Sequence, residues 1–208
     1  MADYLNHDCW CSTIGTFLST SQDTWMDTMI RNHRKSTPYA LSPENLRAWR
    51  NSFSVLQEVF REVSPAFCSL HIVFEYCLPK HPPQDGQLSP YCIWADAIIV
   101  SRETAVVLEF KDRPDAIIQH ARQARMYRNR LQKYHDSSIG MRKWAILVPT
   151  MASGLEQRMM SRVTAASPDL LASVLQSQFG SSPQPHPDIR HWINSTYSIH
   201  HETTSSMT

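Results

Sequence analysis

The sequence predicts an α/β domain built on a mixed sheet flanked by helices, and three observations carry that prediction. An amphipathic helix over 41–63 precedes three apolar strand-like segments, at 69–78, 91–100 and 104–111. A long polar helix over 115–135 then separates these from a fourth apolar segment at 142–150. Finally, the segment "AVVLEFK" (105–111) is apolar on both faces, with Val106, Leu108 and Phe110 alternating with Ala105 and Val107. A strand of that kind is central and covered by helices. The order α, β-β-β, α, β, α is that of an α/β sandwich. A chain of 208 residues has room for one such domain with a modest appendage.

The elements follow in order. In "TFLSTSQDTWMDTMIRNH", Phe17, Trp25, Met29 and Ile30 fall at loosely helical spacing, with Ser21 a candidate cap. This N-terminal helical extension runs through about residue 65. The helix over 41–63 is more sharply written. Ser42 occupies the N-cap position with Pro43 just inside, Leu46, Trp49, Phe53, Leu56 and Phe60 follow 3-4 spacing, and Pro65 closes it. "SLHIVFEYCL" reads as a strand, and the turn-rich "PKHPPQDGQLSP" (79–90) should join it to an antiparallel neighbour, "YCIWADAIIV". Asp115 is placed to cap the helix over 115–135. "SGLEQRMMSRVTAA" (153–166) reads as a helix, and Ser167 and Pro168 open a last one through Phe179. Beyond Gly180 the chain is rich in Pro, Ser and His and is expected to be loosely ordered, with Ile189, Trp192 and Ile193 able to dock. The expected organisation is therefore a domain over 1–166 and a C-terminal helix and tail over 167–208.

Composition narrows the function. A net charge of +1 announces no global attraction to a polyanion, so any such site must be a local patch. There is no basic-then-apolar N-terminus and no apolar run near 18 residues, so neither signal peptide nor membrane span is expected. Five cysteines without repeated spacing favour reduced thiols and a cytoplasmic location. His7, Cys9 and Cys11 lack the second half that a zinc site requires.

Against that plain background, a few charges stand in costly places. Asp96 interrupts the apolar run "IWADAIIV", and Glu109 and Lys111 share one face at the end of a covered strand. Gln119, Gln123 and Tyr127 lie four apart on the following helix, each offset by about 40° from the last. A carboxylate from each of two neighbouring strands, a lysine and a polar ridge would enclose a small charged pocket. Such oxygens suit Mg²⁺ or Mn²⁺, which take one or two protein carboxylates, a carbonyl, waters and phosphate oxygens. A cation there would acidify water and offset charge on a phosphodiester, with Lys111 countering transition-state charge. The plain alternative is an ion pair on an exposed strand face, worth little. The doubly apolar strand argues against it.

On these residues the chain resembles the PD-(D/E)xK nuclease superfamily, whose core is αβββαβ. Asp96 matches the first acidic residue of that superfamily, "EFK" (109–111) its (D/E)xK signature, and "QARMY" (123–127) the QxxxY motif of the branch related to recombination exonucleases. More narrowly, it is similar to the nuclease-like domain at the N-terminus of certain bacterial helicases over roughly residues 10–165. Relatives often carry Arg two residues before the strand-two acid, where this chain has Trp94, and no G-x-x-x-x-G-K-[ST] motor motif occurs. The resemblance implies a Mg²⁺- or Mn²⁺-dependent nuclease acting on DNA, or on RNA. Asp96, Glu109 and the Phe110 carbonyl would be metal ligands, Lys111 the water-orienting cation, and Gln123 and Tyr127 pocket supports. Glu75 is a candidate extra carboxylate, with Glu58 and Glu62 its rivals.

Arg122, Arg125, Arg128, Arg130 and Lys133 give the motif-bearing helix a basic periphery with no acid among them, read as sequence-independent phosphate contacts. His135 is placed to cap that helix or meet a phosphate. A helicase or ATPase from another chain is an implied partner, as is a second copy, although no heptad specifies one. The second expectation is a catalytically inactive module of the same fold that binds nucleic acid or a helicase. The third is an interaction protein using its Pro/His-rich tail.

Overall fold

The computed structural model describes residues 9–36, 40–79 and 92–198. It is an α/β fold around one mixed sheet of seven strands. In chain order the elements are β1 (Trp10–Thr13), α1 (Ile14–Ser19), α2 (Gln22–Ser36), α3 (Pro43–Glu62), β2 (His71–Pro79), β3 (Cys92–Val100), β4 (Thr104–Lys111), α4 (Ile118–Tyr134), β5 (Arg142–Pro149), β6 (Glu156–Met160), β7 (Val163–Ala166), α5 (Pro168–Phe179) and α6 (Ile189–Ile193). The strands lie in the order β1-β2-β3-β4-β5-β7-β6. The first four pair antiparallel, β4 pairs parallel with β5 across the α4 crossover, and β7 runs parallel to β5. β4 is central and buried along its length up to Lys111, as its doubly apolar pattern requires.

Each face of the sheet carries its own core. On one side Phe17, Trp25, Trp49, Phe53, Leu56 and Phe60 from α1–α3, with Leu171 and Leu175 from α5, cover Ile72, Phe74, Val106 and Leu108. On the other, Ala121, Ala124, Tyr127 and Leu131 of α4, with Trp192 of α6, cover Val73, Tyr76, Ile98 and Val107. α3 begins as its sequence dictates. Ser42 Oγ accepts from the Asn45 N–H while the Asn45 side chain accepts from the Ser42 N–H, two otherwise orphaned donors satisfied together.

Three expectations are corrected. The helix expected at 153–166 is a hairpin, β6 and β7, turning at Arg162 with φ of 57°. Its Met, Gln, Leu and Arg favour helix locally, but burying Val163, Ala165 and Ala166 beside β5 overrides that preference. The candidate cap at Ser21 is one: after a short strand β1 the N-terminal helical segment forms α1 and α2, and Ser21 Oγ accepts from the Thr24 N–H at the start of α2. Asp115 caps nothing, since α4 starts three residues later at Ile118 and Asp115 accepts from Arg113 Nε instead at 2.9 Å. The tail, expected to be loosely ordered, docks through residue 198, with Trp192 and Ile193, named as able to dock, both buried, and α5 is part of the first core. The loop expected at 79–90 lies almost wholly outside the described residues, as do 199–208. Among the described residues no helix is long and apolar enough to cross a membrane.

Candidate active site

β2, β3 and β4 are neighbours, and their registers align three acidic residues. Phe74 sits opposite Ala97 and Ala97 opposite Leu108, so one step further along brings Glu75, Asp96 and Glu109 into one row across three strands. The pleat breaks at this row. Residues two apart on a strand share a face, yet Phe74 lies in the first core and Tyr76 in the second, and Ala97 and Ala95 divide the same way. The break in β2 is Glu75 itself, at φ of 49°. β4 stays regular: Leu108 and Phe110 face the first core, which turns Glu109 and Lys111 toward α4.

Each acid is held by one oxygen. Asp96 Oδ2 accepts from the Phe110 N–H at 2.8 Å, closing the ladder where β3 leaves it. Glu75 Oε1 accepts from Trp49 Nε1 at 2.7 Å. Glu109, with no exposed surface, takes Lys111 Nζ on Oε1 and has no hydrogen-bond partner for its buried Oε2. A buried carboxylate oxygen without a protein partner has room for a water or a cation. Above it Gln123 Nε2 donates to the Tyr127 hydroxyl at 2.8 Å, and burial followed by the charge of Glu109 raises the Tyr127 pKa. The phenol therefore remains a neutral donor.

The electrostatics follow from crowding. Burial and then the charge of Asp96 push the Glu75 carboxyl up to about 8, against the pull of the Trp49 hydrogen bond. Burial likewise raises Glu109, with Asp96 adding to it and Lys111 opposing. Asp96 is raised by burial, opposed by Lys111 and the Phe110 N–H. Three acids and one ammonium do not all ionise cheaply in so little water. A cation would relieve them.

No three His, Cys, Asp or Glu side chains among the described residues form a ready-made metal cage. Mg²⁺ does not require one, because it keeps waters and takes substrate oxygens. The unpartnered Oε2 of Glu109 and the oxygen-only donor set around it suit such an ion. Compared with known proteins, the chain matches no family model, no curated protein and no solved structure.

Of the sequence candidates, Asp96, Glu109, Lys111, Gln123, Tyr127 and Glu75 gather at this end of the sheet. Phe110 meets it through its N–H. Glu58 and Glu62 are exposed on α3, and Glu58 lines a separate shallow groove with Leu18, Ser21 and Arg61. Arg122, Arg125, Arg130 and Lys133 line a groove with Asn129 and Tyr134 on the outer side of α4, where the Arg130 guanidinium sits 5.3 Å from the Tyr134 ring. Arg122 is one residue, hence about 100° around the helix, from Gln123. His135 meets no phosphate, because its ring is fully buried between Tyr76 and Ser138. Burial holds the Cys11 thiol up at about 12, against Arg190; Cys9 lies two residues before it, and His7 lies outside the described residues.

Trp49 is the site residue that sequence reading missed. Its 3-4 spacing marks it as core, which it is, with 8% exposure. The indole N–H that makes it also a site residue leaves no trace in a hydrophobic period.

Proposed function

We propose that this protein is a divalent-metal-dependent nuclease of the PD-(D/E)xK type. The observation that carries the reading is Glu109: a fully buried carboxylate beside Asp96, with one oxygen on Lys111 and the other on nothing. The run α3, β2–β4, α4, β5 supports it, since it puts an acid, an acid-x-lysine and a Gln–Tyr pair on successive elements of one sheet end. Asp96 and Glu109 hold Mg²⁺ or Mn²⁺, with the Phe110 carbonyl as a further oxygen. Bound there, the metal supplies Lewis-acid stabilisation of the phosphate oxygens and acidifies water. Lys111, a quarter exposed, orients the attacking water and offsets charge building on the phosphate. Gln123 and Tyr127 donate to phosphate oxygens from the α4 side. Water adds to phosphorus, one ester P–O bond breaks, and the products are a phosphate monoester and a hydroxyl. The acid-free outer face of α4 supplies sequence-independent phosphate contacts, with DNA the substrate of choice and RNA the alternative arm of the test. A helicase or ATPase partner and a second copy are further proposals from the same resemblance.

The test is cleavage of single- and double-stranded DNA and of RNA with Mg²⁺ or Mn²⁺, comparing wild type with Asp96→Ala and Lys111→Ala. Each variant should lose at least 10²-fold in rate, about 3 kcal/mol of barrier. Equal cleavage by all three ends the assignment. A second reading, an inactive nucleic-acid-binding module, is favoured by Trp94, 38% exposed where relatives have Arg. Metal binding without turnover, and nucleic-acid affinity unchanged in Lys111→Ala, would select it.

A further inference from the structure

Two non-glycine residues among those described have positive φ. Arg162 turns a hairpin, which explains it. Glu75 is in mid-strand, where a left-handed backbone is strained and persists only if its surroundings impose it. Its side chain is held by Trp49 Nε1 at 2.7 Å. The indole is fixed in turn by the buried face of α3 and by the His33 ring of α2, edge-on at 5.9 Å. An indole N–H only donates, so it always presents itself to an acceptor oxygen.

We propose that Trp49 is the positioning residue for a third carboxylate of the cation pocket: its N–H fixes one oxygen of Glu75 at the break in β2, so that the charge of Glu75 adds to those of Asp96 and Glu109. Charge balance is the argument for a third acid. A bound cation would favour the ionised form of all three acids: Asp96 and Glu109 less Lys111 then leave a net −1, and Glu75 brings it to −2, which a hard divalent cation neutralises. Glu75 acts on the metal site through this field and Trp49 acts through Glu75, as outer partners of metal ligands do. This inference rests on the metal-site reading above.

The test is Mn²⁺ titration of the full chain by calorimetry, without nucleic acid, at constant pH. Glu75→Gln should weaken Mn²⁺ about 10-fold and Trp49→Phe between about 3- and 10-fold, in the range of outer-partner losses. The double variant should bind no more weakly than Glu75→Gln alone, because Trp49 works through Glu75. An unchanged affinity in Trp49→Phe, or an equal loss in the Glu75→Gln background, overturns the proposal. Should Trp49→Phe not fold, the indole ¹⁵N–¹H resonance of wild type replaces it. That signal should move on adding Mg²⁺ and stay still in Asp96→Ala; a signal indifferent to Mg²⁺ overturns the proposal too. The two readings fail differently. Mn²⁺ affinity equal in wild type and Asp96→Ala removes the metal site itself, whereas loss in Asp96→Ala beside a neutral Trp49→Phe removes only the role of Trp49.

Discussion

Glu75 and Tyr76 are consecutive on β2, yet they enter two opposite kinds of buried polar region. Tyr76 belongs to a network that is neutral and closed. The Trp192 indole donates to Ser138 Oγ at 3.0 Å, Ser138 Oγ and His135 Nδ1 lie 2.6 Å apart, and His135 Nε2 is 2.9 Å from the Tyr76 hydroxyl, which donates to the Ile193 carbonyl. The proton inventory assigns one direction: since Tyr76 gives its proton to Ile193, His135 Nε2 carries the hydrogen and Nδ1 accepts from Ser138. Glu75 belongs to a row that is one-signed and open, with a buried acceptor on Glu109 left over. A network with every group satisfied holds the tail against the sheet. A row the protein leaves unsatisfied waits for something from outside.

Breaking the closed region should have the largest effect on stability. Trp192→Ala removes a fully buried indole and the donor to Ser138, and should cost about 3–5 kcal/mol in urea unfolding. Mn²⁺ affinity of the folded fraction should be unchanged. A cost below about 1 kcal/mol would show that the tail contributes no more than a surface contact.

Titration should separate the regions next, because their signs are opposite. The Glu75 carboxyl loses its proton at about 8 when folded and at 4.5 when unfolded. Between those values the folded chain holds more protons, so stability should fall as pH rises, by about 5 kcal/mol at most over the whole window. His135 is held down to about 3 by burial, against 6.5 unfolded, so its contribution is lost as pH falls from 6.5 toward 3. Lys143, lowered by burial to about 8, adds no slope below that. Metal-free protein should therefore be most stable between about pH 4.5 and 6.5 in thermal melts. Divalent cation should stabilise it more as pH rises, since binding displaces protons. Glu75→Gln should make the alkaline limb shallower, the remaining slope coming from Glu109, which burial also raises to about 8, and should leave the acid limb alone; a limb that keeps its full slope would take Glu75 out of the account.

What was legible in the sequence follows the same division. Asp96, Glu109 and Lys111 showed because charge is expensive in an apolar strand, and their order on the sheet followed from the helix–strand alternation. Trp192 showed only as a residue able to dock, and Tyr197 not at all, because their partners Ser138 and Tyr76 lie far away in the chain and Pro, Ser and His around them resemble a solvated tail. The β6–β7 hairpin was hidden for a related reason. Met, Gln, Leu and Arg fit a helix locally, and only the open side of β5 makes them strands.

The smallest effect sharpens the comparison at its outer edge. The basic groove on α4 contains neither kind of buried network: Arg122, Arg125, Arg130 and Lys133 act there as solvated charges. Replacing Arg122 or Arg125 with Ser should leave Mn²⁺ affinity and thermal stability unchanged and weaken single-stranded DNA binding about 3- to 10-fold, regardless of sequence. The dependence of log affinity on log salt should lose about 0.7 of slope for each phosphate contact removed. A loss confined to particular sequences would instead mean that this face reads bases. A loss independent of salt would mean that it works by packing, in which case the outer face of α4 would have to be joined to the closed region rather than to the open one.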